Sequence, residues 1–153
     1  MNQRGTIFRQ IFDDRGRKFS VVVDEENDAL YAYLYRGSAI VGDVWLANLG
    51  QTPALPEWQH APEGAPYRNP VDYVRSDIRM PPLASDATGL VCEWHWDNEE
   101  LVDVEIKLDG RTYALLTEGS TPGWSLLAAK DGPLAKPLGA LQSLKVRKHS
   151  DSE

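Results

Sequence analysis

The stretch VCEWHWDNEE, residues 91 to 100, carries the only cysteine of the chain three residues ahead of a histidine and then runs into acid. The Cys92-x-x-His95 spacing admits half a metal site, a thiol–imidazole pair, or a strand that carries both residues for unrelated reasons. A zinc site draws on about four convergent ligands, mostly nitrogen and sulfur, whereas this chain offers one cysteine and three histidines. A thiol–imidazole pair needs the two groups within hydrogen-bond reach. Period-two alternation through TGLVCEWHWD instead puts Leu90, Cys92, Trp94 and Trp96 on one face and Val91, Glu93, His95 and Asp97 on the other. Cys92 is therefore expected to be buried and inert, and no metal or cofactor is expected.

His95 shares its face with Glu93 and Asp97 and is expected to look across a hairpin at Asp103. Carboxylates on both sides favour an imidazolium, which suits an electrostatic contact better than a neutral general base. No glycine-rich phosphate loop, nucleophile elbow or His-Glu-x-x-His pattern accompanies it. The chain is thus read as a non-enzyme. The alternative is a small enzyme or ligand-binding β-domain that uses His95 with its neighbouring carboxylates.

The elements that position these residues follow from the same alternation. LVDVEIKL sets Val102, Val104 and Ile106 against Asp103, Glu105 and Lys107, and Asp109-Gly110 then supplies the positive φ angles of a type I′ turn. A two-residue loop there pairs Ile106 with Tyr113, Val104 with Leu115 and Val102 with Thr117. Keeping Trp94 and Trp96 on the face of Val102 and Val104 requires an odd loop, Asn98-Glu99-Glu100. The expected sheet has a tryptophan-rich core face and an acidic face of Glu93, His95, Asp97, Asp103 and Glu105, with Glu99 and Glu100 at its tip.

Seven of the ten prolines lie between Pro53 and Pro82, and residues 1–52 and 83–121 contain none. Sheets tolerate proline mainly at edges, so ladders belong in the proline-free stretches. In the first, FSVVVD, ALYAYLYR and SAIVGDVWLAN read as consecutive strands, with DEEND as a polar turn. The middle strand is apolar on both faces and is placed centrally, with both faces covered. TIFRQIFDD reads equally as strand or helix. In the insert, residues 51–82, Asn69-Pro70 reads as the start of a short helix over VDYVRSDI. The irregular run before it carries Trp58 and Tyr67, either a satellite core or interface anchors. GWSLLAA is read as a last strand. The fold class is mainly β (α+β): consecutive antiparallel hairpins forming one twisted sheet or two packed layers, with one short helix in the proline-rich insert. Residues 1–147 are read as one domain and 148–153 as a frayed tail.

A net charge of −7 and a pI near 4.9 argue against nucleic acid and anionic membrane surfaces as partners and favour a basic protein. No EF-hand spacing is present. With a single cysteine, no apolar core in MNQRGTIFRQIF of the kind a secretory signal has, and no apolar run long enough to span a bilayer, the expected compartment is the reducing cytoplasm.

The run LYAYLYRGSAIVGDVWLANLGQTPALPEW, with the hairpin pair VCEWHWDNEELVDVEIKLDGRTYALL, resembles the small β-rich immunity proteins that bacteria make against polymorphic, contact-dependent or type VI secreted toxins. The resemblance implies a cytoplasmic protein that binds one cognate toxin and blocks it. On this reading Glu93, His95, Asp97, Glu99, Glu100, Asp103 and Glu105 would steer a basic toxin, while Trp58 and Tyr67 would anchor it. A structural or accessory subunit is the further alternative.

Overall fold

The computed structural model describes residues 6–60 and 65–139. The first proline-free stretch forms β1 (Phe8–Phe12), β2 (Phe19–Glu26), β3 (Ala29–Arg36) and β4 (Ala39–Asn48), paired antiparallel in chain order. The second forms β5 (Leu90–Asp97), β6 (Glu100–Leu108) and β7 (Arg111–Leu116), extended by the two-residue strands β8 (Trp124–Ser125) and β9 (Lys136–Pro137). TIFRQIFDD resolves as strand, because Phe8 to Phe12 ladder onto Asp24 to Ser20 of β2. Asn27 and Asp28 take φ angles of 55° and 62°, so the turn within DEEND is the primed type that suits a two-residue hairpin.

The sheets pack as two layers. Val21, Val23, Leu30, Ala32, Leu34 and Val44 of the first are fully buried against Leu90, Trp94, Val104, Ile106, Ala114 and Leu116 of the second, forming one core. β3 is central in its sheet, with Leu30, Ala32 and Leu34 facing the core and Tyr31, Tyr33 and Tyr35 facing away; the expectation that both faces are covered is corrected, since on the tyrosine face only Tyr31 is buried. The layers join along β4. Gly119 N donates to Val41 O, Asp43 N to Ser120 O, Gly123 N to Asp43 O and Trp45 N to Leu134 O. This seam leaves no room for side chains: a Cβ on Gly42 would stand 2.9 Å from the Thr117 carbonyl oxygen, and one on Gly123 would stand 2.6 Å from that of Leu115.

Three local expectations are corrected. The β5–β6 turn is the two-residue Asn98-Glu99, not a three-residue loop, and Asp97 pairs with Glu100. The odd count that the tryptophan face demands is met by a bulge at Val102, which restores Trp94 opposite Val104. At the Asp109-Gly110 turn the two-residue loop forms, but Tyr113 bulges, so Ile106 meets Ala114 and Val104 meets Leu116. The expected register assumed one apolar face on β7. Tyr113, Ala114, Leu115 and Leu116 are all buried, so apolar matching does not distinguish the two registers there.

The third correction concerns the insert. Val71–Tyr73 makes a single 3-10 turn rather than a helix, and Val74 turns extended and bridges Ala128. Arg75 N donates to Leu127 O and Ala129 N to Tyr73 O, so a short ladder takes the backbone that the helix would have used. Asn69 does not cap; its N–H and carbonyl are both held by the Asn48 side chain, at 2.9 and 2.8 Å. The one α-helical turn among the described residues, α1 (Glu57–His60), lies earlier and is tied down by Arg68, 2.6 Å from Glu57. That hydrogen bond and charge hold the Glu57 carboxyl below the usual carboxylate range. Leu134, Ala135 and Leu138 pack back onto the body, whereas residues 140–153, including the expected tail, lie outside the described residues. Among the described residues no helix is long and apolar enough to cross a membrane.

Candidate functional site

Because β5 continues without a bulge, Glu93, His95 and Asp97 keep one face, and pairing sets Glu93 opposite Glu105 and His95 opposite Asp103. The expected acidic face therefore forms, although its centre is buried: Asp103 is 0% and Glu105 3% exposed, against 49% for the Glu93 side chain. The bulge at Tyr113 contributes to this by placing the buried Leu115 opposite Glu105 on the same face.

His95 is clamped from both sides. Its Nδ1 lies 2.5 Å from Asp103 Oδ1, while Nε2 lies 3.5 Å from Glu105 Oε2 and 3.7 Å from Glu93 Oε2. Lys107 Nζ sits 2.6 Å from Glu93 Oε1, and the Thr112 hydroxyl donates to Glu105 Oε1 at 2.6 Å. Lys107 thus offsets part of the repulsion that opposed carboxylates create across a ladder. One ligand atom each from Glu93, His95 and Glu105 falls within 4.8 Å of the others, so these are the residues that could hold a divalent cation. Asp103 would then fix the ring through Nδ1, as carboxylates do behind metal-bound imidazoles. The Lys107 ammonium on Glu93 already supplies positive charge there. Cys92 belongs to the other face, opposite Ile106, and takes no part. Burial pushes its thiol up to about 12, which keeps it protonated.

The acidic tip and the acidic turn do not meet. Glu99 and Glu100 are exposed at the β5–β6 tip, beside the β1–β2 loop. There Arg15 donates to the Asn98 carbonyl at 2.5 Å and stacks over Trp96, whose indole N–H donates to Asp14 at 2.9 Å. The turn after Glu26 lies at the far end of β2, roughly 23 Å away by strand rise, next to the insert through Asn27 and the Pro66 carbonyl. The charges form separate small patches, one of them tempered by an arginine.

Trp58 and Tyr67 pack as a satellite cluster. Trp58 meets Tyr67 and Tyr73 edge-on, at 6.3 and 5.5 Å, and the Tyr67 carbonyl accepts the Tyr31 hydroxyl at 2.7 Å. Both are half-buried against the core. The insert thus roofs the Tyr31 end of the outer face of the first sheet and leaves the rest uncovered by it.

That remainder is the surface the sequence did not point to. Ladder pairing places Phe8, Gln10 and Phe12 of β1, Val22 and Asp24 of β2, Tyr33 and Tyr35 of β3, and Ile40 and Asp43 of β4 on one face. Phe8 is 52%, Phe12 40% and Ile40 52% exposed, while Tyr33 and Tyr35 are half-buried, Tyr33 packing against the core. Arg17 stacks over Phe12 at one end, while carboxylates gather at the other. Burial raises Asp43 and, with help from Glu26, Asp24. Tyr33 is pushed up to about 12 by burial and by Glu26, Asp24 and Asp43. The missing signal was the state of residues 8–12: once they are strand, the spacing of Phe8 and Phe12 aligns them with the tyrosines.

No protein-family model, curated protein or solved structure matches this chain.

Proposed function

We propose that this chain is an immunity-type binding protein that neutralises a basic bacterial toxin in the cytoplasm, and that it meets the toxin with the outer face of β1–β4. The observation that carries the reading is the concentration of exposed Phe8, Phe12 and Ile40 beside half-buried Tyr33 and Tyr35 on one sheet face. A few anchor residues, enriched in tryptophan, tyrosine and arginine, carry most of the binding free energy in protein interfaces. Asp24 and Glu26 at one end of that face and Asp43 midway along it suit a basic partner, whose approach they accelerate. The expectation of an acidic partner-binding surface is thereby kept in kind and moved in place. Asp97, Glu99 and Glu100 form a second, smaller acidic element beside Arg15.

The test is co-production with the protein encoded next to this chain. Rescue of growth and a one-to-one complex of nanomolar affinity, whose association slows as salt rises, support the reading. A neighbour that is harmless alone, or that fails to bind at micromolar concentration, defeats it.

A second reading is favoured by one contact, the 2.5 Å approach of Asp103 to His95 Nδ1. A buried carboxylate that orients an imidazole is the support a ligand-binding or catalytic histidine uses. His95→Ala separates the two: neutralisation persists if the outer face of the first sheet binds, and is lost if His95 does the work.

A further inference from the structure

We infer that the groove between the end of β4 and the insert is a binding site for an amphipathic anion, a carboxylate carried on an apolar chain. The groove has a volume of about 720 Å³, within the usual range of small-molecule sites. Its floor is the buried trio Ile7, Ala47 and Leu127, and its walls are the partly buried Val74, Ile78 and Leu83. This lining suits a hydrocarbon chain.

Among the described residues the charged side chains of the lining are Arg75 and Arg79, and no carboxylate lines the groove. In a chain with 23 acidic and 16 basic residues this local excess of positive charge runs against composition. Arg75 is committed to Asp77 through contacts of 3.0 and 2.6 Å. Arg79 makes no hydrogen bond or ion pair among the described residues, so its guanidinium is available to grip a carboxylate. Thr52 and Ser76 add hydroxyl donors on the lining.

The wall can adapt to a chain. Residues 76–83 make no backbone–backbone hydrogen bond among the described residues; the segment is tied on one side by Arg75 N to Leu127 O and on the other by Ala87 N to Ala84 O and Phe8 N to Ser85 O. Packing of Ile78, Met80 and Leu83 holds this wall in place, and an unbranched thioether fills irregular gaps readily. The site is separate from the outer face of the first sheet and from His95, so it would serve a ligand other than the proposed toxin.

Isothermal titration with dodecanoate, below its micelle concentration, tests the inference on the full chain. The expected result is one-to-one binding in the micromolar range. Dodecyltrimethylammonium, with the same tail and opposite charge, should bind at least about tenfold more weakly, and Arg79→Glu should weaken dodecanoate at least about tenfold, as loss of a charge-assisted contact implies. Leu83→Asp should weaken it as well. An unchanged urea midpoint for Arg79→Glu would show that the exposed substitution leaves the fold intact. Absence of binding at millimolar dodecanoate, equal affinity for the cation, or undiminished binding by Arg79→Glu would each overturn the assignment.

Discussion

Asp13→Ala should be among the most damaging single changes in this protein, although Asp13 lies in a loop. Its carboxylate is 6% exposed and accepts three backbone N–H groups: Arg15 at 2.7 Å and Arg17 at 3.0 Å on Oδ1, and Phe19 at 2.8 Å on Oδ2. These bonds shape the loop that carries Arg15 and Asp14 to Trp96, at the place where the two layers meet. Alanine removes all three acceptors. Water can reach the part-buried amides of Arg15 and Arg17, so each should cost about 1 kcal/mol, while the buried Phe19 amide costs about 1–3 kcal/mol when orphaned. The sum, about 3–5 kcal/mol, is a large fraction of the roughly 5–15 kcal/mol that holds a domain folded. Asp13→Asn keeps one acceptor oxygen and must turn an amide N–H₂ toward at least one backbone donor, so about half of that loss should remain. Urea unfolding followed by tryptophan fluorescence reads both. An Asp13→Ala midpoint that implies less than about 1 kcal/mol of destabilisation would mean that the loop is solvated and its hydrogen bonds are replaceable.

Further predictions follow from the layers. Trp94→Ala should cost about 3–5 kcal/mol because Trp94 lies between the sheets. Trp96→Ala, at the half-buried rim against Phe19, should cost roughly 1–3 kcal/mol by the same urea assay. Asp43→Asn should stabilise the protein at pH 7: burial raises the folded carboxyl above its ordinary 3.8, so the ionised form costs stability above that value. Its advantage should shrink as pH falls toward 3.8 and vanish below, as paired melting curves across pH would record. Cys92, partly buried against the core, should react slowly with a thiol-selective disulfide reagent at pH 8 in the native state and faster on unfolding, since burial pushes its thiol up to about 12; native labelling as fast as in the unfolded chain would contradict that protection.

Alternation made most of the fold legible. The strands of ALYAYLYR and VCEWHWD, their faces, and the separation of Cys92 from His95 all follow from a period of two, because one face of each must be dry. It failed where both faces are dry, as on β7, since a bulge at Tyr113 then costs no apolar contact. The helix expected after Asn69-Pro70 was lost to a tertiary event, the bridge of Val74 to Ala128, which no local pattern announces. At the candidate site, the residues of the acidic face were readable one by one, including the His95–Asp103 approach. The burial of Asp103 and Glu105 was not readable, because alternation assigns sides without saying what covers them. The aromatic outer face escaped because TIFRQIFDD carries no period that separates strand from helix.

The proposed interface is tested most directly by comparing two double variants against the neutralised partner in one binding assay. Tyr33→Ala with Tyr35→Ala removes half-buried aromatics from the outer face, while Glu99→Lys with Glu100→Lys reverses the acidic tip. If the outer face of β1–β4 is the contact surface, the tyrosine pair should lose at least about thirtyfold in affinity, the scale of interface anchors, and the tip pair should change it far less. Unaltered affinity in the tyrosine pair, with collapse in the tip pair, would contradict the account and return the interface to the acidic hairpin.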